Sequence, residues 1–491
     1  MPGKRSLLDE WGNLVFPAAD PEAFRAWIRD GCYIPLPVLR KRDFPPDVLE
    51  LIRALADAQR KEMIACYAPR AAEEAFKSQR KISEETRHSL VIILQFKGMD
   101  TMLIQTLHIK NFKLLQDVNL EPGNINVIIG PNGAGKTSIL EAIGLLSLAM
   151  TDRIDDLSLQ RKGIRLSTSS LLKSSLKNYK KSPLIGLQMD WKDDAKYSYS
   201  VNLNTPSETH EWKYHSEALY VNEKKEWGQS GHSKERYDNS IGLFMLEPNE
   251  SLEKARPSVE WIRNYAIYQP STPVLRGVLS DSAQLTPLGL NGGRLAEALG
   301  EIISEKKENQ DEEDFVQDEL LELIEWADDL SISSPNKSNI HSSVPASRRV
   351  IEFHDRFMKE TDRFTAYDAS EGALYILFLA CLALHPKAPR IFAVDNFDQA
   401  MNPRLAMAVT RKFCEMALKM DKIIFLTTHN PLALDGLDLN DSRIRLFTTE
   451  RSRKTGEVKI HRVKVDQALL ETEMPLSRLW TSGMIGGVPN L

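Results

Sequence analysis

The stretch "GPNGAGKTS" at 130–138 holds the densest chemistry in the chain. Gly130, Gly133 and Gly135 free the backbone to turn its N–H groups inward, with Pro131, Asn132 and Ala134 spaced between them. Such a loop, opening onto a helix N-terminus, suits the oxygens of a polyphosphate. Lys136 supplies an ammonium for the β- and γ-phosphates, the Thr137 hydroxyl a ligand for Mg2+, and Ser138 continues the loop into the helix. A glycine-rich turn without phosphate chemistry is the plain alternative. Against it, the motif follows the apolar run "INVIIG" and opens "SILEAIGLLSL", the strand–loop–helix context that this chemistry needs.

Asp395 ends the apolar run "IFAVD", as a carboxylate of a Mg2+ site does; a strand-end aspartate is otherwise a turn or cap residue. Asn396 and Asp398 follow it. An amide orients a water but cannot accept its proton, whereas a carboxylate can do both; Asp-Asn is also ordinary turn chemistry. "DASEGALYILFLACLAL" sets Ser370, Glu371 and Gly372 at the start of an apolar helix, where an N-cap with a first-turn acid accounts for the local sequence. In "FLTTHNP", His429 stands just behind another apolar run, within reach of a γ-phosphate, or else as a structural histidine. The cofactors expected from these groups are ATP and Mg2+.

Positioning such groups takes an α/β framework. Before residue 99 the chain reads as a small, mainly helical unit, with Asp20 as N-cap, Pro21 at the first helical position and Gly31 as a stop. It is either a docking domain or an extension from an upstream start codon, since Met99 and Met102 precede the next unit. From 102 the pattern shortens into β-like alternation, and 183–250 suggests an antiparallel meander. Residues 301–330 read as an acidic helix, followed by a Ser/Pro-rich linker. The last lobe alternates helix, strand, helix, strand. The expected divisions are a 1–98 helical extension, a 99–300 phosphate-loop lobe with an antiparallel β subdomain, 301–345 helix and linker, a 346–450 lobe with Ser370, Asp395 and His429, and a 451–491 hairpin and partner-docking tail.

The 491 residues correspond to roughly 3 domains' worth of chain. A net charge of −5 gives no global attraction to nucleic acid, so such contact needs a local patch. Residues 161–181 hold seven Lys/Arg and no acid, which makes them the candidate phosphate-backbone contact, or simply a solvated basic loop. No apolar run reaches the roughly 18 residues of a membrane span, and the N-terminus lacks a signal-peptide stretch. The four cysteines form no CxxC pair, which argues against zinc or a disulfide framework. A cytoplasmic protein without membrane contact is expected.

The order of phosphate loop, antiparallel subdomain, "SEG" helix, "AVDNFD" and "TTHNP" resembles the SMC and OLD-like class of ABC-type ATPases. Within it, the chain looks like the AAA-family ATPases of bacterial antiphage systems, such as the ATPase subunit of Septu-type defence. The resemblance covers about 102–450. It implies an α/β ABC-type head with an antiparallel β subdomain and a short helical insertion. It places "SEG" at the family's signature, so Ser370 and Gly372 cap the γ-phosphate held by a second subunit. A head-to-tail homodimer with two shared ATP sites follows, with higher oligomers built from it also compatible. His429 matches the switch histidine, and Gln269 in "AIYQP" is a weaker match to the glutamine near Mg2+. Asn396 stands where the family has its catalytic glutamate, which implies weak hydrolysis or stable ATP occupancy. No Toprim domain follows within these residues, so cleavage is expected of a partner nuclease, of HNH or Toprim type. The rival implication is a RecF-like ATPase acting in DNA repair or on DNA ends.

Overall fold

The alternating "LIQTLHIKNF" forms β1 (Leu103–Phe112), which turns through Asn111 and Lys113, both in left-handed backbone, into antiparallel β2 (Leu115–Leu120). The run "INVII", apolar except for Asn126, forms β3 (Ile125–Ile129), buried along its whole length as a parallel strand covered on both faces must be. The helix α1 (Lys136–Thr151) leaves the loop that follows β3. Then β4 (Ile185–Lys192), β5 (Lys196–Asn204), β6 (Lys213–Val221) and β7 (Lys224–Ser230) extend β1 and β2 into a six-stranded antiparallel sheet, ordered β2-β1-β4-β5-β6-β7. This is the meander expected from the alternation. This computed structural model describes residues 102–488 apart from 178, 180–181, 205–211, 231–241, 243, 245–249, 307–320, 336–339, 342–347, 360–362 and 465–473. The chain divides into Met1–Met99 and Asp100–Leu491. The expected helical extension therefore falls outside the described residues.

Beyond the meander come α2 (Glu250–Arg263), the two-residue strand β8 (Ile267–Tyr268) and α3 (Leu295–Lys306). The acidic helix expected over 301–330 is corrected at its end: β9 (Ala327–Ser333) is a strand, paired with β10 (Val350–Asp355) so that Leu330 faces Phe353. Burial of Ala327 and Leu330 against Phe353 and Trp326 outweighs the helical reading of "EWADDL". With β11 (Arg363–Thr365) these strands make a three-stranded antiparallel sheet.

The last lobe supplies α4 (Glu371–Leu384), β12 (Ile391–Val394), α5 (Pro403–Lys419), β13 (Ile423–Thr427), β14 (Ile444–Arg451) and β15 (Val458–Val463). The second six-stranded sheet is ordered β15-β14-β3-β13-β12-β8, parallel except for β15 at its edge. Alternate residues of each strand feed two separate cores. Ile128, Ala393 and Phe425 face α1 and the antiparallel sheet, whereas Val127, Val394 and Leu426 face α4 and α5. The phosphate-loop helix and the helix begun by Ser370 thus cover opposite faces of one sheet. The tail packs on its own lobe: Trp480 is buried, and its indole N–H donates to Gly487 O at 3.0 Å. The hairpin also begins earlier than expected, because β14 starts at Ile444 as a member of the central sheet.

Candidate nucleotide site

The loop 130–135 needs glycine where its backbone is left-handed or crowded. A Cβ on Gly130 would lie 2.2 Å from Thr449 Oγ1 and 2.5 Å from Thr449 O, so no side chain fits there. Gly133 and Gly135 adopt φ of 73° and 83°, a region costly for other residues. The Gly135 conformation ends the loop and starts α1, whose first N–H groups point back into the nest. Lys136 is buried, and its Nζ donates to Gly130 O at 2.8 Å and Pro131 O at 3.1 Å. Burial lowers its pKa to about 8, against the opposing pull of Asp395.

Asp395 collects the metal-site candidates. Its Oδ2 accepts from Thr137 Oγ1 at 2.9 Å and from Gln269 Nε2 at 3.0 Å, and its Oδ1 accepts from Thr427 Oγ1 at 2.5 Å. The positioning is local: β12 delivers Asp395 at its end, Asp395 N–H donates to Tyr268 O at 3.0 Å, and β8 delivers Gln269 one residue later. Gln269 is further held by its neighbours, since Asn291 Nδ2 donates to its carbonyl at 2.7 Å. One carboxylate, one hydroxyl and an amide beside a phosphate loop fit Mg2+, which keeps most of its shell as water and phosphate oxygen. The described residues contain no cluster of three or more His, Cys, Asp or Glu that would suit a protein-only metal cage.

Asn396 follows in left-handed backbone at φ 53°, half-buried, with its N–H donating to Thr427 Oγ1 at 2.8 Å. Asp398 is turned elsewhere. Its Oδ2 accepts from Thr428 Oγ1 at 2.8 Å, and burial raises its pKa above the ordinary carboxylate value. His429 stays accessible at the end of β13. Partial desolvation and then the Lys136 ammonium hold its imidazole below the usual value, against Asp395. Thr137, Asp395, Gln269, Lys136 and His429 therefore share one electrostatic neighbourhood. Ser370, Glu371 and Gly372 do not join it: among the described residues no hydrogen bond or ion pair links them to 130–138. Ser370 caps α4, its Oγ accepting the Ala373 N–H at 3.4 Å, and both Ser370 and Glu371 are exposed.

Several supporting residues lay outside the motif reading. Glu141, fully buried on α1, accepts from Lys113 Nζ at 2.5 Å and Arg165 Nε at 2.8 Å. Burial pushes its pKa up, but the Arg165 and Lys113 contacts prevail and leave it lowered. The signal was a lone acid inside the apolar helix "SILEAIGLLSL". Tyr199 and Tyr214 of the antiparallel sheet reach Ala149 O at the other end of α1, at 3.0 and 2.9 Å. No local pattern marks those two tyrosines.

A family of AAA domains, described as a putative AbiEii toxin of a Type IV toxin–antitoxin system, matches residues 125–435. The chain belongs to this family. It is a member of the SMC and OLD-like class of ABC-type ATPases, as its motif order resembled. Short stretches also match curated relatives. An OLD nuclease of Thermus scotoductus is 50% identical over 44 residues, 9% of this chain and 8% of the relative. A DNA replication and repair protein RecF of Idiomarina loihiensis is 47% identical over 53 residues, 11% of this chain and 15% of the relative. The matched stretches thus span under a fifth of either relative. Among solved structures, an SMC head bound to the C-winged helix domain of ScpA aligns at TM-score 0.46 and 14% identity, over 74% of this chain and 99% of that one. No helix among the described residues is long and apolar enough to cross a membrane.

Proposed function

We propose that this AAA-family chain binds Mg·ATP at the 130–138 loop, hydrolyses it slowly, and works as a head-to-tail homodimer. The observation that carries the reading is the convergence of Thr137 and Gln269 on one oxygen of Asp395, beside a buried Lys136. Backbone N–H groups and Lys136 hold the phosphates, while Thr137 and Asp395 hold the metal ion, whose charge would offset that of the phosphate oxygens. His429 stands next to Lys136 as a contact for the γ-phosphate. Ser370, Glu371 and Gly372 lie on a helix across the sheet from α1, which supports their meeting the nucleotide of a second copy instead. Phosphoryl transfer relies mostly on positioning and charge stabilisation, so Asn396 orients water without taking its proton and turnover is slow.

The biological setting we propose is an antiphage complex in which the ATP-held dimer controls a partner nuclease. The OLD nuclease match and the toxin–antitoxin description of the family support it. The RecF match favours a second reading, an ATPase acting on DNA ends. Co-purification with the product of the adjacent gene, with bound nucleotide and nuclease activity assayed, tests the first. ATP-dependent binding to DNA ends without any nuclease partner would support the second.

A further inference from the structure

Resting on the shared-site reading, we propose that residues 161–177 are a docking rim for a second copy of this chain, engaging the residues that flank Ser370. The segment lies against the phosphate-loop helix: Arg165 bonds Glu141 of α1, and Leu172 O accepts the Lys113 N–H at 2.8 Å. Its cations fall into two groups. Lys162 donates to Arg263 O, Arg165 to Glu141, and Lys173 to Asn204 Oδ1, so these three are committed within the chain. Arg161 and Lys177 are exposed and have no ion pair or hydrogen-bond partner for their side chains among the described residues. Between them Leu166 and Leu171 are 45% and 66% exposed. A surface built to neutralise phosphates offers most of its cations free, whereas three of the five in this segment are committed. Exposed leucines between two cations instead have the composition of a protein contact.

The region around Ser370 has the complementary character. Tyr367 is 40% exposed, and Asp368 and Glu371 are exposed on either side of the cap. Arg276 donates to Ala369 O at 3.0 Å, which ties this turn to a segment whose Val278 and Leu279 are 38% and 59% exposed. One half of the shared site therefore carries leucines with two free cations, and the other carries an aromatic and two aliphatics with two acids. Seating Ser370 of one copy on the phosphate loop of the other brings these rims together with matched charge.

The test uses the full chain with Mg·ATP, reading self-association by sedimentation velocity. Arg161→Glu with Lys177→Glu in one protein, and Asp368→Lys in another, should each weaken the dimer on the order of tenfold or more. An equal mixture should regain wild-type association, because the mixed dimer meets reversed charge with reversed charge at one site and native with native at the other. Leu171→Asp should weaken association while leaving the melting temperature of the nucleotide-free protein in place. If wild type pairs and the charge-reversed proteins pair as tightly, the rim is wrong and the shared site stands. If wild type itself stays monomeric with Mg·ATP, the shared site and the rim both fall. Loss of double-stranded DNA binding on charge reversal, with association unchanged, would overturn the proposal in favour of a nucleic-acid surface.

Discussion

Thr427 fixes Asn396: its Oγ1 accepts the Asn396 N–H at 2.8 Å while its own proton goes to Asp395. One hydroxyl thus sets the peptide that joins Asp395 to Asn396, the residue we propose as the one that orients the attacking water. That peptide leads into left-handed backbone at φ 53°, which asparagine tolerates better than glutamate does. The asparagine answers a backbone requirement at this position.

Hence Asn396→Glu should have two separable effects. Phosphate release should rise, by up to about 10²–10⁴-fold if the carboxylate acts as a general base. Stability should fall by about 1 kcal/mol from the left-handed conformation. Steady-state rates and melting curves on the same preparations check both. Brisk turnover by the unaltered chain, abolished by Asp398→Ala, would refute slow hydrolysis; the hold of Thr428 on a buried Asp398 points the other way.

Lys136→Ala removes the one ammonium buried in the phosphate loop. Loss of one partner of a buried charge pair costs about 2–5 kcal/mol, so nucleotide affinity should drop on the order of 30-fold or more. Isothermal titration with ATP reads this directly, and unchanged affinity would remove the phosphate-loop assignment.

The same lysine makes affinity pH-dependent. Its pKa in the free protein is lowered to about 8, and nucleotide phosphates would raise it on binding. With the bound value above the free one, its contribution is complete below pH 8 and is lost as pH climbs toward the bound value. Affinity should therefore be flat up to about pH 8, then fall by up to about tenfold per pH unit. Calorimetry at pH 9 in two buffers of different ionisation heat should detect proton uptake; equal heats would contradict it.

Ser370→Arg should leave nucleotide binding to the phosphate loop intact and block dimer closure, since an arginine at the α4 cap would collide with the partner's nucleotide. Mass photometry with and without Mg·ATP separates the outcomes. Identical assemblies for mutant and wild type would mean that the cap does not meet a nucleotide.

Local chemistry made much of this legible. "GPNGAGKTS" carries its glycine spacing and its strand–helix context within a dozen residues, and "IFAVD" announces a buried strand with an acid at its end. Gln269 was weaker in sequence because a two-residue strand has no periodicity; only the pairing of β8 with β12 brings it to Asp395. Glu141 is a lone acid in an apolar helix, but its partners Lys113 and Arg165 come from loops with no shared pattern. β9 is hidden inside an acidic run because its strand character comes from Phe353 and Trp326, which pack against it. The basic run at 161–181 shows the reverse case. Its charge count was plain, yet three of its cations are consumed internally.

The order of the central sheet also governs how the molecule can be made. β3 lies between β13 and β14, and its contacts with them join residues 298 and 320 positions apart, such as Asn126 with Ile424 and Thr449 with Ile129. On a ribosome adding about 5–20 residues per second, β3 emerges roughly 15–60 s before the strands that flank it. Throughout that interval a strand with four apolar residues of five, and the phosphate loop behind it, wait without neighbours. The nascent chain therefore has no nucleotide site until nearly all of the last lobe has left the exit tunnel, and "INVII" is the segment that a chaperone would be expected to shield.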